Sequence, residues 1–170
     1  ALEAGAELHV KGHQLEAVRE FAGFINRMEY RAPKEPAAQV LGDLLAASGQ
    51  FAGARAEYAK LAKARSPYFE LKSALLLGRA WQAEGDHAKA LAEFDKVLAS
   101  TEKSPLIEPL RLAATLDRAV SQAAGGKVDE SAAAIGEIIA KADPEDAELQ
   151  ARAYNALGDC YLKSGDPRGA

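Results

Sequence analysis

A single cysteine, Cys160, stands in 170 residues, so the chain can form no internal disulfide and takes no stability from one. Histidine is nearly as scarce. His9, His13 and His87 fall near turns or a helix end, no HExxH occurs, and Cys160 has no histidine near it in sequence, so a metal site lacks a ligand set. Apolar runs are short, Ala74 to Leu77 being typical, whereas a bilayer-crossing helix needs about 20 apolar residues. Charge of one sign never comes in blocks: 21 Lys and Arg against 25 Asp and Glu leave a formal net charge of -4. Without a basic face there is nothing to displace the counterions of a nucleic acid, so that class of partner is excluded. The one glycine-rich stretch, AGGKV at Ala124 to Val128, would need Gly at Ser121 and Ser or Thr at Val128 to cradle a phosphate, and it reads as a turn. Cys160 lies between Leu157 and Tyr161 and reads as a small packing residue. The pair Glu145-Asp146 reads as a helix start, where carboxylates meet the positive end of the dipole. No catalytic residue, no cofactor and no metal follow from these residues, and the reading is of a protein that is not an enzyme. The compartment stays open between cytoplasm and periplasm.

What the chain does contain is a repeated hairpin, clearest from Leu71 to Leu98. Leu77, Gly78 and Trp81 lie at helical spacing, Gly85-Asp86 breaks the helix, and Ala90, Phe94 and Val97 form the facing stripe of a second one. Gly78 needs a reason, because glycine inside a helix costs about 1 kcal/mol relative to alanine. Close approach supplies it: with no side chain at Gly78 and a methyl at Ala90, the two helices can pack tightly while Trp81 and Phe94 fill the gaps beside them.

Copies of this hairpin run through the chain. Gly5, Leu8, Gly12, Ala17, Phe21 and Phe24 reproduce the offsets of Gly78, Trp81, Gly85, Ala90, Phe94 and Val97, with a second helix expected from about Gln14 to Tyr30. Leu41, Gly42, Leu45, the turn Ser48-Gly49-Gln50, Ala54, Tyr58 and Leu61 form the next. Leu112, Leu116, Ala119, Val120 and Ala123, the turn Gly125-Gly126-Lys127, then Ser131, Ile135 and Ile138 form a fourth that lacks the glycine. Tyr154, Leu157, Gly158 and Tyr161 with Gly165-Asp166 open a fifth.

The spacing L-G-x2-W followed by A-x3-F resembles the tetratricopeptide repeat (TPR) pattern W-x2-L-G-x2-Y, A-x3-F, with Ala74 in the first large slot and Trp81 in the tyrosine slot. The resemblance covers essentially the whole chain and predicts one array: a partial repeat at 1–34, repeats at 35–66 and 67–105, a degenerate one at 106–143, and the first helix of another at 144–170. Repeat spacings exceed the usual 34 residues, as in longer bacterial repeats, and the excess falls in connections that carry proline: Arg31 to Pro36, Ser66-Pro67, Ser104 to Pro109 and Asp143-Pro144. Proline is tolerated in the first turn of a helix, so the first helices of repeats three to five are expected to be extended at their N-terminal ends.

The fold this implies is all-α, a right-handed superhelical solenoid of antiparallel helix hairpins, and the function it implies is that of a protein-interaction scaffold. In the family the first helix of each repeat lines a concave groove. Its exposed slots here fall on Gln39 and Asp43; Lys72, Leu75, Arg79 and Gln82; Asp117 and Ser121; Arg152, Asn155, Asp159 and Lys163. Lys72 and Arg79 are two turns apart on one face and could hold a ligand carboxylate, with Gln82 and Asn155 meeting peptide groups. Each of these residues also reads as part of a solvated helix face of mixed charge. Family members that capture acidic chaperone tails use Lys and Asn in the first repeat, where this chain has Leu2 and Ala6, so a partner segment of mixed or more apolar character is expected. The alternative is a structural module, self-associating through its open ends or forming the regulatory part of a larger enzyme. The chain is also expected to be an excerpt of a longer array, because Tyr154, Leu157, Cys160 and Tyr161 span both a packing face and a face the next helix would cover. That uncovered face is expected to touch a neighbouring molecule or to be among the most mobile parts.

Overall fold

Glycines in the left-handed region, where side chains crowd the backbone, divide the chain into helix hairpins. The structure is a computed structural model that describes residues 34–165 and, of those before them, residues 16, 18–20 and 23. The hairpin expected from Gly5 to Tyr30, with His9 and His13, therefore lies outside the described residues apart from those five. The helices are α1 (Lys34–Ala47), α2 (Phe51–Leu61), α3 (Pro67–Glu84), α4 (His87–Leu98), α5 (Glu108–Ala124), α6 (Val128–Lys141) and α7 (Ala147–Ser164), with a short 3-10 turn at Ala62–Ala64. No strand occurs among the described residues. Pro67 opens α3 and Pro109 sits in the first turn of α5. The helices they open, at 18 and 17 residues, are longer than the second helices α2 and α4, at 11 and 12. Two further starts are capped by carboxylates, Asp86 accepting from the Lys89 amide and Asp146 from the Leu149 amide.

Gly49, Gly85, Gly126 and Gly165 have φ of 77°, 89°, 94° and 77°. Counted from them, the pattern is regular. Ala54, Ala90 and Ser131 stand five residues on; Tyr58, Phe94 and Ile135 nine on; Leu61, Val97 and Ile138 twelve on; and all nine are buried. Seven residues before each turn glycine stand Gly42, Gly78, Ala119 and Gly158. The register of the fourth hairpin is thereby settled: Ala119 takes the glycine slot, and Ser131 fills the small slot while its hydroxyl bonds back to the Lys127 carbonyl at 2.6 Å.

The chain forms two compact units, Ala1–Ala80 and Trp81–Ala170. In the first, α1 packs on α2 around Ala38, Ala54, Tyr58, Leu61, Leu76 and Ala80. Gly42 is what allows the Tyr58 ring to lie there: a Cβ on Gly42 would stand 2.4 Å from one ring carbon and 2.6 Å from another. The ring's hydroxyl continues past the glycine and donates to Asp43 Oδ1 at 2.8 Å. Ser73 of α3, fully buried, donates to the Tyr58 carbonyl at 2.8 Å and so satisfies an acceptor in the last turn of α2.

Burial disfavours the Tyr58 phenolate, and the Asp43 bond and charge add to it against a smaller opposing effect of Arg79, so its pKa is raised well above the usual tyrosine value. The folded state keeps this proton where the unfolded chain has lost it. Tyr58 thus contributes stability that is fully present below about pH 10, the unfolded value, and is lost as the pH rises further. An absorbance titration of the five tyrosines should show Tyr58 ionising only with loss of helicity. Ionisation of all five with the far-UV spectrum unchanged would contradict the buried bond.

In the second unit α4 packs on α5, α5 on α6 and α6 on α7. Their core contains Leu116, Ala119, Ala123, Ile135, Ile138, Leu149, Ala153 and Cys160. Arg111 ties the connection before α5 down, donating to the Ser100 and Glu102 carbonyls at 2.7 and 2.6 Å. Lys89 lies over the Trp81 ring, 4.3 Å from its centroid.

Candidate functional site

The first-helix faces carry the residues from which a binding surface could be built, and each unit has its own set. In the first unit Gln39 is half-buried and Asp43 exposed, with Asp43 accepting the Tyr58 hydroxyl. Lys72 is half-buried beside Tyr68, one turn earlier on α3: its Nζ lies 3.4 Å from the tyrosine oxygen and 5.5 Å from the ring centroid. Arg79 is half-buried on the same helix. Tyr68, itself half-buried, is a contact residue that the repeat pattern does not single out, because it precedes the part of the helix that the pattern describes.

The expectation of an exposed wall fails for three residues. Leu75 is buried at 4% exposure and belongs to the interior, so it does not offer an apolar contact to a partner. Asp117 and Ser121 are buried at 2% and 1%. In the second unit they are the middle of a polar chain that links three successive first helices. The Gln82 amide nitrogen, on the last turn of α3, donates to the Asp117 carbonyl oxygen at 2.8 Å and to Ser121 Oγ at 2.9 Å. From the other side the Arg152 guanidinium of α7 pairs with the Asp117 carboxylate. Gln82, expected to meet the peptide groups of a ligand, thus has its amide nitrogen directed to α5. The physical reason is general: a buried polar atom must find a partner, and the nearest ones stand on the adjacent first helix.

The face of α7 is different. Asn155, Asp159 and Lys163 are exposed and lie at spacings of four residues on one side of the helix, beside the half-buried Arg152. Leu149, Ala153 and Cys160 occupy the core side. The Cys160 thiol is buried, and burial raises its pKa, with Lys163 opposing and Asp159 adding slightly. Such a thiol is a poor nucleophile.

A depression of about 850 Å³ lies elsewhere in the second unit, lined by Lys103, Ser104, Pro105, Glu108, Pro109, Arg111 and Leu112. It lies at the start of α5 and includes none of the candidate residues named above. Among the described residues no group of three or more His, Cys, Asp and Glu could hold a metal ion, and no helix is long and apolar enough to cross a membrane.

Comparison with known proteins agrees with the hairpin architecture. A crystal structure of a tetratricopeptide repeat protein from Parabacteroides merdae ATCC 43184 superposes with a TM-score of 0.65 at 20% sequence identity, over 99% of this chain and 59% of that one. At that identity the likeness concerns the fold, and the present chain spans little more than half the length of its counterpart. No curated protein matches the sequence. The model of the Tetratricopeptide repeat family matches residues 40–105 and 116–170, well over half of the chain, and the protein therefore belongs to that family.

Proposed function

We propose that the protein is an interaction scaffold that holds an extended segment or a helix of another protein against the exposed sides of its first helices. Tetratricopeptide repeats generally mediate protein–protein interaction and are not typically enzymes. The observation that carries the finer reading is the polar face of α7, where Asn155, Asp159 and Lys163 stand exposed beside an Arg152 that a buried carboxylate holds in place. A side chain held as Arg152 is loses less freedom when it binds. In the first unit Lys72 and Arg79 add positive charge for an acidic group of the partner, and the aromatic edge of Tyr68 beside Lys72 suits a segment of mixed character.

Reversing Lys72 and Arg79 together to Glu is expected to abolish capture of the partner in a pull-down while helicity by circular dichroism stays intact. Wild-type affinity is expected to fall as salt rises, because exposed charges are screened within about 10 Å at 0.1 M. Retention of the same partner by the double reversal would sink the reading. A self-assembling module would depend on its terminal helices instead, so the double reversal would leave its sedimentation unchanged.

A further inference from the structure

The Arg152–Asp117 pair of the second unit has a counterpart in the first that lacks its acidic half. Counted from the glycine slots, Arg152 stands six residues before Gly158 of α7, and Asp117 two before Ala119 of the preceding first helix, α5. In the first unit Lys72 stands six before Gly78 of α3, and Val40 two before Gly42 of the preceding first helix, α1. The cation is therefore repeated, but the place of the carboxylate is taken by an apolar side chain that is 40% exposed. Lys72 shows the consequence. It is half-buried where the other lysines among the described residues are exposed, and its contacts are with the ring and the hydroxyl oxygen of Tyr68. No carboxylate among the described residues pairs with it. A cation drawn partly out of water gains more from an opposite charge than an exposed one does, because less solvent and salt stand between them.

We infer that Lys72 and Tyr68 seat an acidic side chain, Asp or Glu, of an extended partner segment whose neighbouring aliphatic residue lies on Val40. The inference rests on the scaffold reading above and adds the chemistry of the segment. The Lys72 ammonium holds one carboxylate oxygen, and the Tyr68 hydroxyl, which accepts from Lys72 and keeps its own proton to donate, holds the other. In the second unit the chain fills the equivalent place itself, since Asp117 is 2% exposed and paired with Arg152. The partner's acidic residue is thereby directed to α3 rather than to Arg152 of α7. The repeat pattern does not supply the missing carboxylate to Lys72 from within, because the helix that would carry it is α1 and the residue there is Val40.

The probe is a library of random peptides displayed on phage and selected on the full chain. The selected sequences are expected to share an Asp or Glu next to a Val, Leu or Ile, and a synthetic peptide of that kind should shift the amides of α1 and α3. Changing its acidic residue to Asn or Gln should weaken binding by roughly tenfold or more, and so should Lys72→Met in the protein, which keeps the apolar stem and removes the charge. Val40→Asp puts a carboxylate where the second unit has Asp117, so it should close the site from within and weaken the same peptide comparably. Peptides that bind the first-helix faces without an acidic residue, or that are indifferent to Lys72→Met or to Val40→Asp, overturn the inference and leave the scaffold reading standing. A selection that yields no binder overturns both. A fall in melting temperature on Lys72→Met as large as that on Arg152→Ala would mean that Lys72 already has a carboxylate within its own chain, and would overturn a partner's acidic residue there.

Discussion

Gly42→Ala is expected to lower the melting temperature, whereas Gly158→Ala, seven residues before its turn glycine just as Gly42 is, should leave it unchanged or raise it. Both substitutions gain the same intrinsic preference, about 1 kcal/mol in favour of alanine inside a helix. They differ in what the new methyl meets. At Gly42 it falls 2.4 Å from the Tyr58 ring, well inside any tolerable contact. The ring cannot swing aside freely, because it is 4% exposed and its hydroxyl is tied to Asp43. Overpacking of this kind costs about 1–3 kcal/mol, so the clash outweighs the helical gain, and Gly42→Leu should cost more. At Gly158 the methyl enters open space and only the gain remains. For a chain of this size 1 kcal/mol corresponds to roughly 2–4 °C, so the two variants should separate clearly in one thermal scan. Equal melting temperatures would mean that the glycine slot is not a packing device.

The second large effect is expected at the Asp117–Arg152 pair. Arg152→Ala removes the cation from a carboxylate that is 3% exposed, and breaking a buried pair from one side costs about 3–5 kcal/mol. The lower end of that range applies, because the arginine side chain is 33% exposed and Asp117 keeps other interactions. Gln82→Ala should cost less, about 1 kcal/mol, since it removes neutral hydrogen bonds to the Asp117 carbonyl and Ser121. Denaturant midpoints of the two single variants and the double variant measure whether the polar chain acts as a unit: coupling of about 0.5 kcal/mol or more is expected through the shared Asp117. If Arg152→Ala unfolded at the wild-type midpoint, the pair would be a solvated contact with no structural weight. The side chain of Arg152 would then lack the support on which the binding face of α7 is argued.

The hairpins were legible in the sequence because their cues are local. A turn glycine, a small residue five positions on and a large one nine positions on can be found by counting, and the resemblance to tetratricopeptide repeats rests on the same offsets. Counting did less well in the fourth hairpin, where alanine replaces the slot glycine and serine replaces the small alanine. There the positive φ of Gly126, rather than Gly125, fixes the register. The candidate site was legible only in part. Helical spacing placed Lys72 and Arg79 on one face. The family resemblance, which assigned the exposed slots, gave Asn155, Asp159 and Lys163, which are exposed, but also Leu75, Asp117 and Ser121, and those three are buried.

The division follows from range. Helix limits, the small and large slots and the close-approach glycine depend on residues within a hairpin, where 3.6 residues per turn and the demands of a left-handed turn act over short stretches of chain. The sequence by itself therefore determined an all-helical repeat protein, with Gly42 in a slot that a neighbouring ring fills. Which polar residues face water depends instead on the neighbouring first helix, 35 residues away in the case of Gln82 with Asp117 and of Asp117 with Arg152. Only the tertiary structure could decide that Asp117 is an internal link and Asn155 an exposed one, because burial and hydrogen-bond satisfaction belong to the packed neighbours rather than to the helix that carries the residue.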